Sequence, residues 1–165
     1  MATQSTPQFF ASRWNDELPR FSRVLRALPA DQLDYKPHEK CTAAGNLGWQ
    51  IAIEAGNLSD LLDSGVVDFK MSPCPSSPGE IADTFERNAK KVSEKLSGNI
   101  DEAKWSGPAT FKMGGQTVWE TTVEDMFWGY IFDMVHHRGQ LSSYLRPMGG
   151  KVPAIYGPSA DDSGE

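Results

Sequence analysis

Four stretches of the chain carry apolar residues at the three- and four-residue spacing of an amphipathic helix. They cover residues 7–28, 43–63, 77–98 and 117–147. The apolar stripes are, in order, Phe10, Trp14, Leu18, Phe21, Leu25 and Leu28; Leu47, Ile51, Ala55, Leu58 and Leu62; Ile81, Phe85, Ala89, Val92 and Leu96; and Trp119, Val123, Met126, Tyr130, Leu141, Tyr144 and Met148. Four helices with one apolar face each predict an all-α four-helix bundle.

Helix-start signals support three of these segments. Thr6 followed by Pro7 is typical of a helix N-terminus, and capping-box patterns begin at Ser77 and Thr117. Pro19 lies inside the first segment and predicts a kink or a break there, because proline removes a helical hydrogen bond. The sequence therefore predicts where the helices begin and one place where a helix is distorted.

The connections between the helices differ in character. Residues 71–79 read MSPCPSSPG, a stretch too rich in proline for a helix, and predict a long crossover between the second and third helices. Residues 110–113 alternate like a short strand and precede a Gly-Gly turn. We therefore expect at most one short strand beside the bundle.

The composition is that of an acidic globular protein. The net charge is −6 and the pI is about 5.1, with no basic run, which disfavours nucleic-acid binding. The sequence contains no apolar run of the roughly 20 residues that a membrane span needs. Cys41 and Cys74 lie far apart without a CxxC spacing, so neither a disulfide nor a zinc site is predicted. We expect one domain over residues 1–165 in the cytoplasm, with no membrane or nucleic-acid partner.

Two ionisable residues interrupt the fourth apolar stripe. Asp133 and His137 lie one helical turn apart in it, where a charge is costly unless something pairs with it. Residues at this spacing share a helix face and could hold one metal ion. Gln50 and Glu54 have the same spacing beside the second stripe, so a third ligand could come from that helix. A hydrogen-bonded polar network would satisfy the same groups without a metal, and both alternatives stay open.

Two segments of the chain resemble a known family. The C-terminal segment has the form HRGQ-x3-YLR followed by VP-x2-YGP, within residues 136–161, and residues 34–54 read DYKPHEKCTAAGNLGWQIAIE. Both are similar to the corresponding segments of the DinB (damage-inducible, YfiT-like) family of bacterial bundle proteins. The resemblance implies a four-helix bundle with a long crossover, commonly a homodimer. It also implies a divalent metal held by three histidines.

The resemblance implies three ligand positions in this chain. His137 matches the last histidine of the family's pattern, while Asp133 and Gln50 stand where the other two histidines are expected. The implied metal site is therefore Gln50, Asp133 and His137. Since an aspartate and an amide are oxygen ligands, this set would favour manganese, iron or magnesium over zinc. The candidate cofactor is therefore manganese, iron, nickel or zinc, or no metal at all.

Two functions are compatible with these residues. One is a metal-dependent enzyme, as implied by relatives that are thiol-dependent transferases and isomerases; the substrate would then be a small molecule or thiol, and a hydrolase-like reaction is a variant. The other is a small-molecule-binding or stress-related protein without catalysis. In that protein, Gln50, Asp133 and His137 would line a metal-free, hydrogen-bonded pocket.

Overall fold

Four long helices build most of the protein. The computed structural model describes residues 5–98 and 100–164, and within them the helices are α1 (Thr6–Arg26), α2 (Ala44–Ser64), α3 (Pro78–Ser97), the single turn α4 (Glu102–Trp105) and α5 (Val123–Leu145). The strands are β1 (Val66–Phe69), β2 (Pro108–Met113) and β3 (Gln116–Thr122), and a short 3-10 turn covers Ala30–Gln32. The protein is therefore mainly helical, as the apolar periodicity predicts.

The predicted apolar stripes form the core. Helix α2 packs against α3 and α5, and α1 packs against the same two helices. All residues of the first three predicted stripes are buried except Leu18, which is partly buried. Helix α1 runs through Pro19 without interruption, so the predicted break is wrong. The Ser77 hydroxyl accepts a hydrogen bond from the backbone N–H of Glu80, which confirms the predicted start of α3.

A small sheet corrects the all-α prediction. The three strands are ordered β1-β2-β3, with β1 parallel to β2 and β2 antiparallel to β3. Strand β1 contacts α2, while β2 and β3 contact α5. The predicted strand at residues 110–113 lies inside β2, but its two partners were not predicted. The connection between α2 and α3 thus contains a strand as well as the proline-rich stretch.

The segment predicted as the first turns of the fourth helix is strand β3. The turn before it contains Gly114 and Gly115, both at positive φ. The central residues of a tight two-residue hairpin turn commonly need this backbone conformation. The helix begins after Thr122, whose hydroxyl accepts from the N–H of Asp125 at 3.1 Å. Thr, Val and Trp favour strands, and here that preference prevails over the capping-box pattern at Thr117. Trp119 consequently leaves the core and is 44% exposed.

The C-terminal tail is fixed to the helices. Arg138 of α5 is 2% exposed, and its guanidinium lies 2.5 Å from a Glu17 carboxylate oxygen and 2.5 Å from the Tyr156 hydroxyl. The ring centroids of Phe21 and Tyr156 lie 4.6 and 5.0 Å from its guanidinium carbon. Arg138 therefore has a structural role, joining α1, α5 and the tail. Within the described residues, no helix is long and apolar enough to cross a membrane.

Candidate metal centre

Helices α2 and α5 bring four polar side chains together. Gln50 and Glu54 project from α2, and Asp133 and His137 project from α5. Gln50 Nε2 lies 2.8 Å from His137 Nε2, and Asp133 Oδ2 lies 3.2 Å from the same nitrogen. The structure therefore places the three sequence-predicted residues next to one another. Their role as metal ligands stays a prediction.

Glu54 is the fourth member of this cluster and a further candidate metal ligand. Ligand atoms of Glu54, Asp133 and His137 lie within 4.8 Å of one another, a spacing that one metal ion could bridge. Glu54 is only 3% exposed. The sequence contained a signal for it, because residue 54 lies three after Ile51 and four before Leu58, at the spacing of the buried face.

Asp133 and His137 lie at the edge of the core. The Asp133 side chain is 52% exposed and that of His137 is 15% exposed, whereas the adjacent α5 positions Met134 and Leu141 are fully buried. The apolar spacing predicted that both residues lie in the middle of the buried stripe, and for Asp133 this prediction is wrong. The cluster is therefore reachable from solvent on the Asp133 side.

Gln50 acts as a hydrogen-bond donor in this arrangement. Its Nε2 amide group donates to Glu54 Oε1 at 2.8 Å and lies 2.8 Å from His137 Nε2. The amide nitrogen of Gln50 thus contacts both Glu54 and His137, and the role of its amide oxygen as a metal ligand stays a prediction.

Gln140 determines which nitrogen of His137 faces the carboxylates. Its Oε1 atom lies 3.0 Å from His137 Nδ1, and a carbonyl oxygen can only accept, so Nδ1 carries the proton. In the neutral ring Nε2 is then unprotonated and directed toward Asp133. A metal-ligating histidine usually donates its other ring N–H to such an acceptor.

Burial and mutual contact change the pKa values of the cluster. The pKa of Glu54 is raised to about 8, chiefly by burial and partly by the Asp133 charge. The hydrogen bond to His137 lowers the pKa of Asp133 below its usual range. The same bond raises the pKa of His137 to about 9. Without a metal the cluster therefore holds protons on Glu54 and His137 at neutral pH.

One oxygen of the cluster has no hydrogen-bond partner. Glu54 Oε2 is buried and receives no donor from the described residues, a situation that costs free energy. Two things can satisfy it: a proton on Glu54 donated toward Asp133, or a cation shared with Asp133 and His137. Since the ligand atoms of these three residues also lie within 4.8 Å of one another, the residues present fit a divalent metal.

A pocket opens from this cluster toward the sheet. It has a volume of about 350 Å³, and Gln50, Glu54 and Asp133 form its polar floor. Apolar walls surround that floor and come from all three strands and from α5, namely Phe69, Phe111, Met113, Trp119, Gly129 and Tyr130. The cluster can therefore be reached by a small molecule.

Comparison with known proteins gives the family. The sequence profile described as "DinB family" matches residues 1–165. No curated protein sequence matches the chain significantly. Among solved structures, a DinB-like protein from Bacillus cereus has a TM-score of 0.73 at 21% identity, covering 89% of this chain and 95% of that one. A DinB-like protein from Bacillus subtilis has a TM-score of 0.67 at 15% identity, covering 86% and 93%.

A more distant structure has a named activity. The crystal structure of the mycothiol-dependent maleylpyruvate isomerase matches with a TM-score of 0.54 at 13% identity, covering 93% of this chain and 65% of that one. At these identities the structural likenesses show a shared fold. The family's sequence profile matches the whole length of the chain, and the chain therefore belongs to the DinB family.

Proposed function

We propose that this four-helix-bundle protein is a metal-dependent enzyme, in which Glu54, Asp133 and His137 hold one divalent cation. The observation that carries the proposal is the buried Glu54 Oε2, which has no hydrogen-bond partner among the described residues, in a cluster whose Glu54, Asp133 and His137 ligand atoms lie within 4.8 Å of one another. Two carboxylates and one imidazole carry two negative charges, which a divalent cation neutralises. Such an oxygen-rich set favours manganese or iron over zinc or nickel.

The reaction that fits this arrangement is transfer of a thiol to a small substrate. A bound divalent ion lowers the pKa of a thiol or water attached to it and so supplies a nucleophile at neutral pH. The chain's own residues orient that centre: Gln50 fixes Glu54, and Gln140 fixes His137. The mycothiol-dependent isomerase with the same fold supports a thiol over water as the attacking group.

Metal content of the purified protein is the first test. We expect close to one manganese or iron per chain when the protein is made without a His tag or chelator, and Glu54→Gln should reduce this to a small fraction. Asp60→Asn is the matched control, because it removes one carboxylate from an exposed position of the same helix. Metal far below stoichiometry in the wild type, even after incubation with each ion, would contradict the proposal.

A second variant tests the orientation of His137. Gln140→Ala removes the acceptor at Nδ1, and we expect metal affinity to fall by about 10- to 100-fold, the usual effect of losing such a partner. Gln140→Glu keeps an acceptor there and should restore the affinity. Calorimetric titration with Mn²⁺ measures all three proteins. Equal affinities would show that Gln140 does not orient a metal ligand.

The competing function is a metal-free binding pocket. It is favoured by the hydrogen bonds of Gln50, which join Glu54 and His137 at 2.8 Å without any ion. In that case a proton on Glu54 satisfies Oε2, and the protein binds a small molecule without catalysis. Restoring the family's histidines with Gln50→His and Asp133→His would then create tight zinc or nickel binding that the wild type lacks.

A further inference from the structure

We propose that the sheet and α5 form a substrate subsite that holds an uncharged, ring-shaped apolar group beside the metal centre. The subsite consists of Phe69, Phe111, Met113, Trp119 and Tyr130. This inference rests on the proposed function only for the polar end of the substrate, which would contact the cation. For the apolar end of the substrate, the evidence is the set of apolar residues that form the pocket walls.

The walls of the subsite are flat. Phe111 faces Trp119 across the β2–β3 pair, and its ring centroid lies 6.3 Å from those of both Phe69 and Tyr130. The Trp119 ring lies on Gly129, where a side-chain carbon would be 3.5 Å from Trp119 Cη2. The indole therefore lies close to the helix backbone at this position. Aromatic faces on several sides are best filled by another ring.

Two of these side chains are unusually exposed. Trp119 is 44% exposed and Met113 is 52% exposed, although both are large and apolar. Contiguous apolar surface of this kind marks binding sites. Glu54 and Asp133 also line this cavity. If a flat protein surface covered the cavity, it would bury both carboxylates without giving them a hydrogen-bond partner, which is unfavourable. A small molecule that reaches the floor fits better.

The charge of the residues that line the pocket further limits which ligands fit the subsite. Of the described residues that line the pocket, none is a lysine or arginine. A bound cation can hold one metal-binding group of the ligand, but no lysine or arginine in the described lining balances further negative charge. The subsite therefore selects an uncharged apolar body with a single metal-binding group, and it disfavours polyanionic substrates.

A pair of hydroxamic acids tests this directly. Acetohydroxamate and benzohydroxamate carry the same metal-binding group and differ in the ring. With the manganese-loaded protein we expect benzohydroxamate to bind about ten-fold more tightly, from burial of the ring. Trp119→Ala and Phe111→Ala should remove that advantage while leaving the affinity for acetohydroxamate unchanged. Phe132→Ala, an exposed aromatic of α5 outside the pocket, should keep it.

The uncharged probe 1-naphthol separates this inference from the metal proposal. It should bind the chelator-treated wild type, and Trp119→Ala should abolish that binding. If 1-naphthol behaves so while neither hydroxamate binds with metal, the subsite stands and the metal-dependent function fails. If the phenyl ring gives no advantage and 1-naphthol does not bind, the subsite is overturned. It is also overturned if Trp119→Ala turns a dimer into a monomer by light scattering and no probe binds.

Discussion

His137 has its two ring nitrogens in different surroundings. Nδ1 faces the Gln140 carbonyl oxygen at 3.0 Å, and Nε2 faces Asp133 and Gln50. In the metal-free protein the Asp133 carboxylate holds a proton on the ring, and the pKa of His137 is about 9. A metal would have to displace that proton, so protonation and metal binding exclude each other at this residue.

Metal affinity should consequently rise with pH. Glu54, with a pKa of about 8, and His137, with a pKa of about 9, are both protonated at neutral pH without metal. Binding must release these protons, so we expect the affinity for Mn²⁺ to increase by about 10- to 100-fold per pH unit below pH 8. Calorimetry in buffers of different ionisation enthalpy counts the protons. A binding enthalpy that is the same in every buffer would contradict this.

Glu54 should lower the stability of the metal-free protein at high pH. Its folded-state pKa of about 8 lies above the ordinary value of 4.5, so the folded protein binds this proton more tightly than the unfolded chain. Stability is therefore lost as the pH rises from 4.5 to 8. Glu54→Gln removes the buried charge, and we expect it to raise the free energy of unfolding by about 1–3 kcal/mol above pH 8.

Urea unfolding with a chelator present measures this effect. The gain from Glu54→Gln should disappear below about pH 4, where the wild-type carboxyl is mostly protonated in both states. Asp60→Asn, on the exposed face of α2, should change stability little at either pH. A Glu54→Gln protein that is less stable than the wild type above pH 8 would show that the ionised carboxylate is paired without metal.

At the scale of elements, the hairpin β2–β3 determines the shape of the pocket. Gly114 and Gly115 form its turn at φ values of 58° and 81°, and the N–H of Gly115 donates to Asp68 of β1 at 3.1 Å. Gly115→Ala should lower the free energy of unfolding by about 1 kcal/mol, because alanine is strained at positive φ. Gly114→Asn is the control, since asparagine tolerates this conformation. Denaturant unfolding compares them, and equal losses would argue against this explanation.

The helices could be predicted from the sequence and the sheet largely could not. Stripes such as Phe10, Trp14 and Phe21 repeat over five turns, so one face is apolar whatever the partner is. Strand β1 has four residues and pairs with a strand more than forty residues later, which local pattern cannot reveal. Residues 117–122 satisfy both a capping-box pattern and strand preference, and only the pairing with β2 decides between them.

The candidate site was predictable within one helix and not between helices. Asp133 and His137 share α5, so their four-residue spacing was enough to place them together. The choice between Gln50 and Glu54 as a ligand depends on how α2 is rotated against α5, which the sequence of one helix does not reveal. The resemblance implied Gln50, and that role stays a prediction. Glu54 could have been favoured by its spacing from Ile51 and Leu58, which places it on the buried face.

At the scale of the whole molecule, Arg138 joins parts of the chain that are far apart in sequence. It pairs with Glu17 and Tyr156 while almost fully buried. Arg138→Ala should lower the free energy of unfolding by about 3–5 kcal/mol, because the mostly buried Glu17 carboxylate loses its fully buried cationic partner and keeps only Arg20 and Tyr156. Tyr156→Phe removes two hydrogen bonds, one from Arg138 and one to Glu17, and should cost about 1–2 kcal/mol.

A double-mutant cycle separates the ion pair from packing. The variant Glu17→Gln with Arg138→Met has no unpaired charge, so we expect it to be more stable than Arg138→Ala. All variants are measured by urea unfolding, and their metal content should stay at the wild-type level because the pair lies outside the cluster. Loss of metal from Arg138→Met would instead connect this contact to the site.

The location of the sheet in the connections between helices has a consequence for how such a protein can evolve. The proposed ligands lie on α2 and α5, while the apolar walls come mostly from β1 after α2 and from the hairpin before α5. Connections accept insertions and substitutions more readily than packed helices do. Substrate preference can therefore diverge through these two segments without disturbing the packing of the helices that carry the proposed ligands.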